Sequence, residues 1–340
     1  MKIPALLDRK KTKAASSGGQ VRVLDGVPML AACVAIAAAL YVFGLTGVLS
    51  SNIQRYLLKI FLYCTLSSMW NLMSGYTGMT SLGQQTYIGL AGYSLTVMTA
   101  TYAMSYWVGF LVGAVISTIV SLILAIILFR MRGMYFAVAT WVVAEALRTF
   151  FTSWKFVKKG AGMTVAARPY PSTSTIYIIA LTLCIIALAV VYFLLKSRVG
   201  LGLTAMRDDP DAASSVGVDI FKSKLLVYVV SAIFTALAGG IFYLNKGSIY
   251  PAGGFGISWT VSMVFIVIIG GIGTMGGPVL GSILYVIFEE QLAKLPGGWT
   301  NIVLGLIAIL VILFLPDGIL GTLQKKLRFE ILSQKRFSGE

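Results

Sequence analysis

Long apolar segments alternate with short polar or glycine-rich segments along almost the whole chain. A helix needs about 20 predominantly apolar residues to cross the hydrocarbon core of a bilayer. Ten segments approach this length, and we predict that each forms a transmembrane helix, although glycine shortens or interrupts the third, the eighth and the ninth. The predicted spans are residues 28–48, 53–73, 86–105, 106–129, 135–152, 176–195, 224–243, 257–272, 278–293 and 299–316.

Composition favours one membrane-embedded bundle over two soluble domains. Apolar residues make up 58% of the 340 residues and charged residues only 11%, whereas soluble proteins contain about 25% charged residues. The mean hydropathy is +0.88. We therefore predict an all-α, polytopic membrane protein of about ten transmembrane helices, surrounded by membrane lipid.

The basic residues predict the orientation of this bundle, because loops that face the cytoplasm retain Lys and Arg. With the N-terminus inside and ten crossings, the inside segments hold 18 of the 27 basic residues. The sequence thus predicts a basic cytoplasmic tail over residues 1–27, a transmembrane domain over 28–316 and a basic cytoplasmic tail over 317–340. The first apolar run is longer than a signal-peptide core, so we expect an uncleaved first helix. Because the net charge of +15 is spread over loops and tails, it does not indicate a nucleic-acid groove.

The sequence offers little of the chemistry that enzymes use. It contains no histidine, and Cys33, Cys64 and Cys184 fall inside predicted spans without CxxC spacing, so we predict no metal site and no catalytic residue. A P-loop of the form GxxxxGK[ST] is absent, so the chain has no recognisable means of hydrolysing ATP. The GxGxxG match at residues 271–276 lies between spans without a βαβ context, and we expect no dinucleotide or other cofactor in this chain.

The longest predicted cytoplasmic loop, residues 196–223, carries the start and stop signals of a short helix outside the membrane. Asp209 is a favoured N-cap residue, and Pro210 suits the first helical position. Asp211 would favour the positive end of the helix dipole, and Gly217 would end the helix. A helix of about two turns is not stable alone in water, so another surface must hold it.

This short helix has a small apolar face. Ala212, Ala213 and Val216 form it, and such a face suits a groove on a partner protein. The alternative is an ordinary structured loop that packs on its own bundle. The spacing alone leaves both interpretations open.

Two glycine-rich segments, residues 75–92 and 270–281, each interrupt an apolar run in one half of the chain. This pattern is typical of broken helices that line a translocation path between internal repeats. The alternative is close helix packing through small residues, which is compatible with a path. The candidate path residues are Gly83, Gln84, Gln85, Gly89, Gly270, Gly271, Gly273, Gly276 and Gly277.

One acidic and one basic residue lie within the fifth predicted span. Glu145 and Arg148 are three positions apart, hence on one helical face, and charges at that depth are costly unless they are paired. We predict a mutual, structural ion pair that faces the bundle interior, in preference to a substrate contact. An ion-coupled transporter that works alone would need several coordinating groups at mid-membrane, and Glu145 is the one acid well within a predicted span.

Four motifs, in this order, resemble the permeases of branched-chain amino acid ABC importers of the LivM type. The resemblance runs from about Tyr56 to Gly321. The motifs are SLGQQTYIGLAGY at 81–93, MRGMYFAVAT at 131–140, AMRDD at 205–209 with GVD at 217–219, and VIIGGIGTMGGP at 267–278.

The resemblance implies the permease subunit of an ATP-binding cassette importer, not an enzyme. Such permeases pair with a second, related permease subunit of the LivH type and dock two ATPase subunits, which carry the ATP and Mg. It further implies a binding protein outside the membrane that delivers substrate, and the plasma membrane of a bacterium or archaeon. The segment with Arg207, Asp208 and the helix from Asp209 to Gly217 would then be the coupling helix that contacts the ATPase.

The resemblance implies branched-chain or other small amino acids as the substrate. The outer stretch after the fifth span departs from the family pattern, because it reads GAGMTVAAR at 160–168 where a glycine- and serine-rich stretch is common. Related urea permeases share much of the same scaffold. A urea or amide importer is therefore an alternative, and an ion-coupled secondary transporter is a weaker one.

Overall fold

The computed structural model describes residues 22–23, 27–46, 50–293, 303, 305–307, 309–310, 313, 318–327 and 329–330, with side chains for 35–46, 50–293 and the later residues up to 322. The helices are α1 (Val27–Leu45), α2 (Ser51–Thr77), α3 (Gln85–Ala100), α4 (Tyr106–Leu128), α5 (Met134–Ser153), α6 (Thr173–Lys196), α7 (Arg198–Asp208), α8 (Pro210–Ser215), α9 (Ile220–Lys246), α10 (Pro251–Gly254), α11 (Ser258–Gly270), α12 (Gly277–Leu292) and α13 (Gly318–Leu327). A 3₁₀ helix covers Lys155–Gly160. Strand β1 (Arg22–Val23) pairs in parallel with β4 (Phe329–Glu330), and β2 (Met163–Thr164) pairs antiparallel with β3 (Ser248–Ile249).

The prediction of an all-α membrane protein is confirmed. Each of the first nine predicted spans coincides with a helix, namely α1 to α6, α9, α11 and α12. The tenth, residues 299–316, lies largely outside the described residues. Among the described residues, five helices are long and apolar enough to cross a membrane, the last of them counted as α10 and α11 together. The full number of spans and the side on which the termini lie stay predictions.

Helix α2 lies at the centre of the bundle and packs against α6, α9, α11 and α12. Its 27 residues extend about 40 Å, enough to cross a bilayer. The helix is less apolar than its neighbours because it carries several polar residues that pack against other helices. Two of these residues donate a hydroxyl hydrogen bond to a backbone carbonyl group one turn earlier in α2. These buried polar residues include Thr65, Ser67, Ser68 and Asn71.

The loops gather at two ends of the bundle, which the 27-residue helix α9 separates by about 40 Å. At one end, called here the α7–α8 end, the segments after α2, α4 and α11 meet α7 and α8. At the other, β2 pairs with β3, and the backbone N–H of Val165 donates to the carbonyl oxygen of Gly247 (2.9 Å). This separation agrees with the alternation of the predicted spans.

Candidate functional site

A pair of short helices, α7 and α8, fills the loop that the sequence singles out. Oδ1 of Asp209 accepts hydrogen bonds from the backbone N–H groups of Asp211 (2.9 Å) and Ala212 (3.1 Å), which is N-cap geometry. Pro210 occupies the first helical position, and Gly217 follows the helix with a φ of +88°. The local start and stop signals thus produce the short helix.

Helix α7 is absent from the elements predicted from sequence. Its apolar side chains at Leu203 and Met206 are fully buried and lie three positions apart, so one face of the helix packs on the bundle. That spacing is the signal that could have indicated the helix. This signal is weak, however, because it covers only one helical turn and because glycines interrupt the segment.

Helix α8 rests on its own bundle through one alanine and exposes the rest of its apolar face. The side chain of Ala213 is 2% exposed and belongs to a core that includes residues of α2, α4 and α9. Ala212 is exposed, and Val216 is 79% exposed. Each of the two interpretations therefore describes part of the helix, which both packs on the bundle and presents an apolar surface.

Arg207 joins α7 to the end of α2. Its Nη1 donates a hydrogen bond to the carbonyl oxygen of Gly75 (2.8 Å), and its Nε donates to Oδ1 of Asp208 (3.3 Å). The Asp208 side chain is 74% exposed, so water screens that ion pair and leaves it a small stabilising effect. The hydrogen bond to Gly75, in contrast, links α7 to the first glycine-rich segment.

The two glycine-rich segments meet at the same point. Nδ2 of Asn71 donates to the carbonyl oxygen of Thr274 (2.9 Å), and the backbone N–H of Gly273 donates to Oδ1 of Asn71 (2.9 Å). A Cβ at Gly75 would lie 2.7 Å from the backbone nitrogen of Gly273, and a Cβ at Gly273 would lie 3.3 Å from Nη1 of Arg207. Arg207 therefore lies beside both segments, where Gly75 has no room for a side chain and Gly273 is tightly enclosed.

Other candidate path glycines lie at tight contacts between elements. A Cβ at Gly83 would lie 2.3 Å from the carbonyl oxygen of Thr140, and one at Gly89 would lie 2.3 Å from the ring of Phe255. These contacts show the close packing that was the alternative interpretation, while a role beside a path stays a prediction. The turn between α11 and α12 is equally crowded, at Gly270, Gly276 and Gly277, and its Gly271 has a φ of +120°.

Gln84 and Gln85 are buried inside the chain, where their amide groups make hydrogen bonds to other helices. Nε2 of Gln84 donates to the hydroxyl of Ser231 (3.1 Å), and its Oε1 accepts from the hydroxyl of Thr235 (3.0 Å). Oε1 of Gln85 accepts from the hydroxyl of Thr260. The two amides thus join the start of α3 to α9 and α11. Both side chains are 0% exposed in the described chain, and the expectation that they line a path stays a prediction.

Replacing Gln84 by leucine should lower the melting temperature of the purified protein without changing what it transports. The variant loses the hydrogen bonds to Ser231 and Thr235, and such bonds between membrane helices contribute about 0.6 kcal/mol each on average. Thermal unfolding followed by tryptophan fluorescence measures the loss. An altered substrate preference at an unchanged melting temperature would contradict the structural role and favour a place beside the path.

The ion pair predicted in α5 forms, but on the outer surface of the chain instead of its interior. Nη2 of Arg148 contacts Oε1 of Glu145, and the two side chains are 42% and 41% exposed. The spacing of the two residues predicts that they share a helical face. It does not predict where that face points, because α5 lies at the edge of the bundle and few of its residues are buried.

A second ion pair, between α2 and α12, was not predicted as a pair. Nζ of Lys59 contacts Oε1 of Glu290, and the hydroxyl of Tyr63 donates to Oε1 of Glu289 (3.5 Å). Lys59 and Glu290 are 231 positions apart in the sequence. No local pattern could have indicated their contact.

The geometry defines the class of the protein. It is an all-α, multi-pass membrane protein. Its short helix α7 is hydrogen-bonded to the end of α2, beside the contact between the two glycine-rich segments. The chain belongs to the protein family described as "Branched-chain amino acid transport system / permease component", which matches residues 52–312, more than half of the chain.

Curated relatives agree with this membership. The chain is 23% identical over 299 residues to the high-affinity branched-chain amino acid transport system permease protein LivM of Escherichia coli K12, covering 79% of this chain and 70% of that protein. It is 31% identical over 135 residues to the LivH permease of the same strain, and 32% identical over 149 residues to the fructose import permease protein FruG of Bifidobacterium longum. These two matches cover 39% and 40% of this chain and 43% of each relative. No solved structure matches the chain.

Proposed function

We propose that this permease is the membrane subunit of an ATP-driven importer, and that α7 and α8 form its coupling element. The observation that carries the proposal is the contact of Arg207 with Gly75, beside the point where both glycine-rich segments meet. A force applied to α8 from outside the chain would reach α2 and the α11–α12 turn through packed atoms. The bundle could then respond as a rigid assembly.

The motor would be a separate ATPase, because this chain contains no P-loop. Nucleotide and Mg would bind to that subunit, and its groove would take the exposed face of α8 at Ala212 and Val216. For nucleotide to drive transport, it must bind one state of the assembly more tightly than the other. Movement of α8 would then reopen a path shared with a second permease subunit of the LivH type.

The α7–α8 end would face the cytoplasm, where an ATPase finds ATP. The segments assigned to the inside by the alternation of spans hold 18 of the 27 basic residues, in keeping with the charge bias of membrane proteins. The opposite end, with the paired strands β2 and β3, would face a binding protein that delivers substrate. The membrane would be the plasma membrane of a bacterium or archaeon.

Branched-chain amino acids are the proposed substrate class. The LivM permease of Escherichia coli K12, which matches 79% of this chain, is named for their transport, whereas the fructose permease matches 40% of it. A urea or amide importer is the alternative that the family resemblance leaves open. An ion-coupled carrier is less favoured, because the acidic residue in α5, Glu145, is already paired with Arg148 on the outer surface.

Reconstitution tests this proposal directly. The chain is purified with a LivH-type permease, an ABC ATPase and a binding protein from the same organism, and inserted into proteoliposomes with ATP on the side of the ATPase. We expect ATP-dependent uptake of labelled leucine, isoleucine or valine, and no uptake with a hydrolysis-deficient ATPase. Parallel assays with urea and fructose distinguish the substrate classes. Uptake that follows an ion gradient and ignores ATP would overturn the importer assignment.

A further inference from the structure

A pocket of about 330 Å³ opens at the α7–α8 end. It lies between α8, the end of α2, the turn from α4 to α5 and the start of α9. Part of its wall is apolar, with the side chains of Phe129, Phe136 and Met206 among its lining. The pocket is therefore a cleft between helix ends, lined by both apolar and charged residues.

Helix α8 divides its side chains between this pocket and the outer surface. Asp211 and Ser214, three positions apart, line the pocket, whereas Ala212 and Val216, four positions apart, are exposed away from it. Residues at these spacings share a helical face. A ligand in the pocket and a protein on the outer face of α8 would thus occupy different surfaces.

The charges in the pocket are predominantly positive. Arg132, Arg207 and Lys224 line it together with one carboxylate, that of Asp211. Arg207 already has acceptors in α2 and α7. Within the described part of the chain, Arg132 and Lys224 enter none of the ion pairs, and their positive charges repel each other. Three basic side chains against one carboxylate leave the concave site with an excess of positive charge, which favours the binding of an anion.

An exposed apolar face of α4 leads directly to this pocket. Helix α4 has 23 residues and extends about 34 Å, close to the thickness of the hydrocarbon core. Phe129, the residue after its last turn, lines the pocket. An acyl chain lying along α4 would therefore place its headgroup at the pocket. The exposed residues recur every three or four positions, at Leu111, Val115, Ile119, Leu122 and Ile126.

We propose that this pocket binds the phosphate headgroup of an anionic phospholipid whose acyl chains lie against the exposed face of α4. Basic pockets at the ends of membrane helices recognise such headgroups by charge. Free inorganic phosphate shares the anionic chemistry but cannot use the apolar wall at Phe129 and Phe136. The inference requires only that the chain lies in a membrane and does not depend on the proposed import function.

Lipid binding to the purified full-length chain in detergent tests this inference. Native mass spectrometry and thermal melting are compared for phosphatidylglycerol, phosphatidylcholine and inorganic phosphate. The pocket variant carries Arg132→Gln and Lys224→Gln. The matched control carries Arg130→Gln and Lys222→Gln, which remove the same charges from the same two segments outside the pocket, where Arg130 is exposed and Lys222 pairs with Asp219.

We expect phosphatidylglycerol to bind the wild-type chain at least tenfold more tightly than phosphatidylcholine. The pocket variant should lose about tenfold to thirtyfold of this affinity, because each basic group near a charged lipid surface contributes measurably to binding. The control should stay within about twofold of wild type. Equal melting temperatures in phosphatidylcholine show that the variants fold.

Four results would overturn the inference. Equal binding of the two lipids, or equal losses in the pocket variant and its control, would show that the pocket does not select the headgroup. Displacement of phosphatidylglycerol by millimolar phosphate would identify a free anion as the occupant. Retained lipid affinity with loss of a copurifying ATPase would identify an acidic group of that protein as the occupant.

Discussion

Alanine at position 209 should reduce ATP-dependent uptake about fivefold to tenfold, whereas asparagine at the same position should retain it. The side-chain oxygen of Asp209 caps α8, and an asparagine oxygen can accept the same hydrogen bonds. Loss of an N-cap costs about 1 kcal/mol, and a helix of six residues has little intrinsic stability to offset that loss. The helix would fray, and the ATPase would lose the surface that it is proposed to grip.

Asp209→Asn is the matched control, because it removes the same charge and keeps an oxygen that can cap α8. Uptake into proteoliposomes is measured together with the amount of ATPase that copurifies with the permease. We expect both to fall for Asp209→Ala and to persist for Asp209→Asn. If Asp209→Asn were as defective as Asp209→Ala, the ATPase would recognise the negative charge of Asp209 and not the folded helix α8. Full activity of Asp209→Ala would exclude α8 as the coupling element.

The helices of the bundle follow from the apolar segments, because a membrane requires each spanning segment to form its own backbone hydrogen bonds. Helix α4 covers Tyr106–Leu128 where residues 106–129 were predicted, and α6 covers Thr173–Lys196 where 176–195 were predicted. In both segments nearly every residue is apolar. The strength of that signal explains why the boundaries agree within a few residues.

The glycine-rich segments are harder to interpret from sequence. Gly75 was expected to begin a break, yet α2 continues through it to Thr77 and ends at Gly78, which has a φ of +72°. A glycine inside a helix costs only about 1 kcal/mol relative to alanine. Packing of the helix against its neighbours outweighs that cost. Composition therefore marks the region, but contacts decide where the helix ends.

The site itself depends on contacts between residues distant in sequence. Arg207 and Gly75 are 132 positions apart, and Gln84 and Thr235 are 151 positions apart. Cap and turn signals act over a few residues and reveal the start and end of α8. They contain no information about which carbonyl group an arginine meets after the chain has folded, and for this reason the link between α7 and α2 required the structure.

Gly75→Ala should destabilise the protein by about 2–4 kcal/mol and abolish uptake. The new Cβ would lie 2.3 Å from Oδ1 of Asn71 and 2.7 Å from the backbone nitrogen of Gly273. Overpacking of this kind costs about 1–3 kcal/mol, and the bonds that Asn71 makes to the α11–α12 turn would be strained or lost as well. The melting temperature of the purified chain should fall by about 5–10 °C.

Gly305→Ala is the control for the added methyl group, because a Cβ there meets no atom of the described residues within 4 Å. Alanine also favours a helix by about 0.5–1 kcal/mol over glycine. Asn71→Ala removes the bonds between the glycine-rich segments without a clash, so it separates contact from crowding. If the segments transmit movement from α8, both Gly75→Ala and Asn71→Ala should lose uptake at temperatures well below their melting points. Wild-type uptake by folded Gly75→Ala protein would show that coupling takes another route through the bundle.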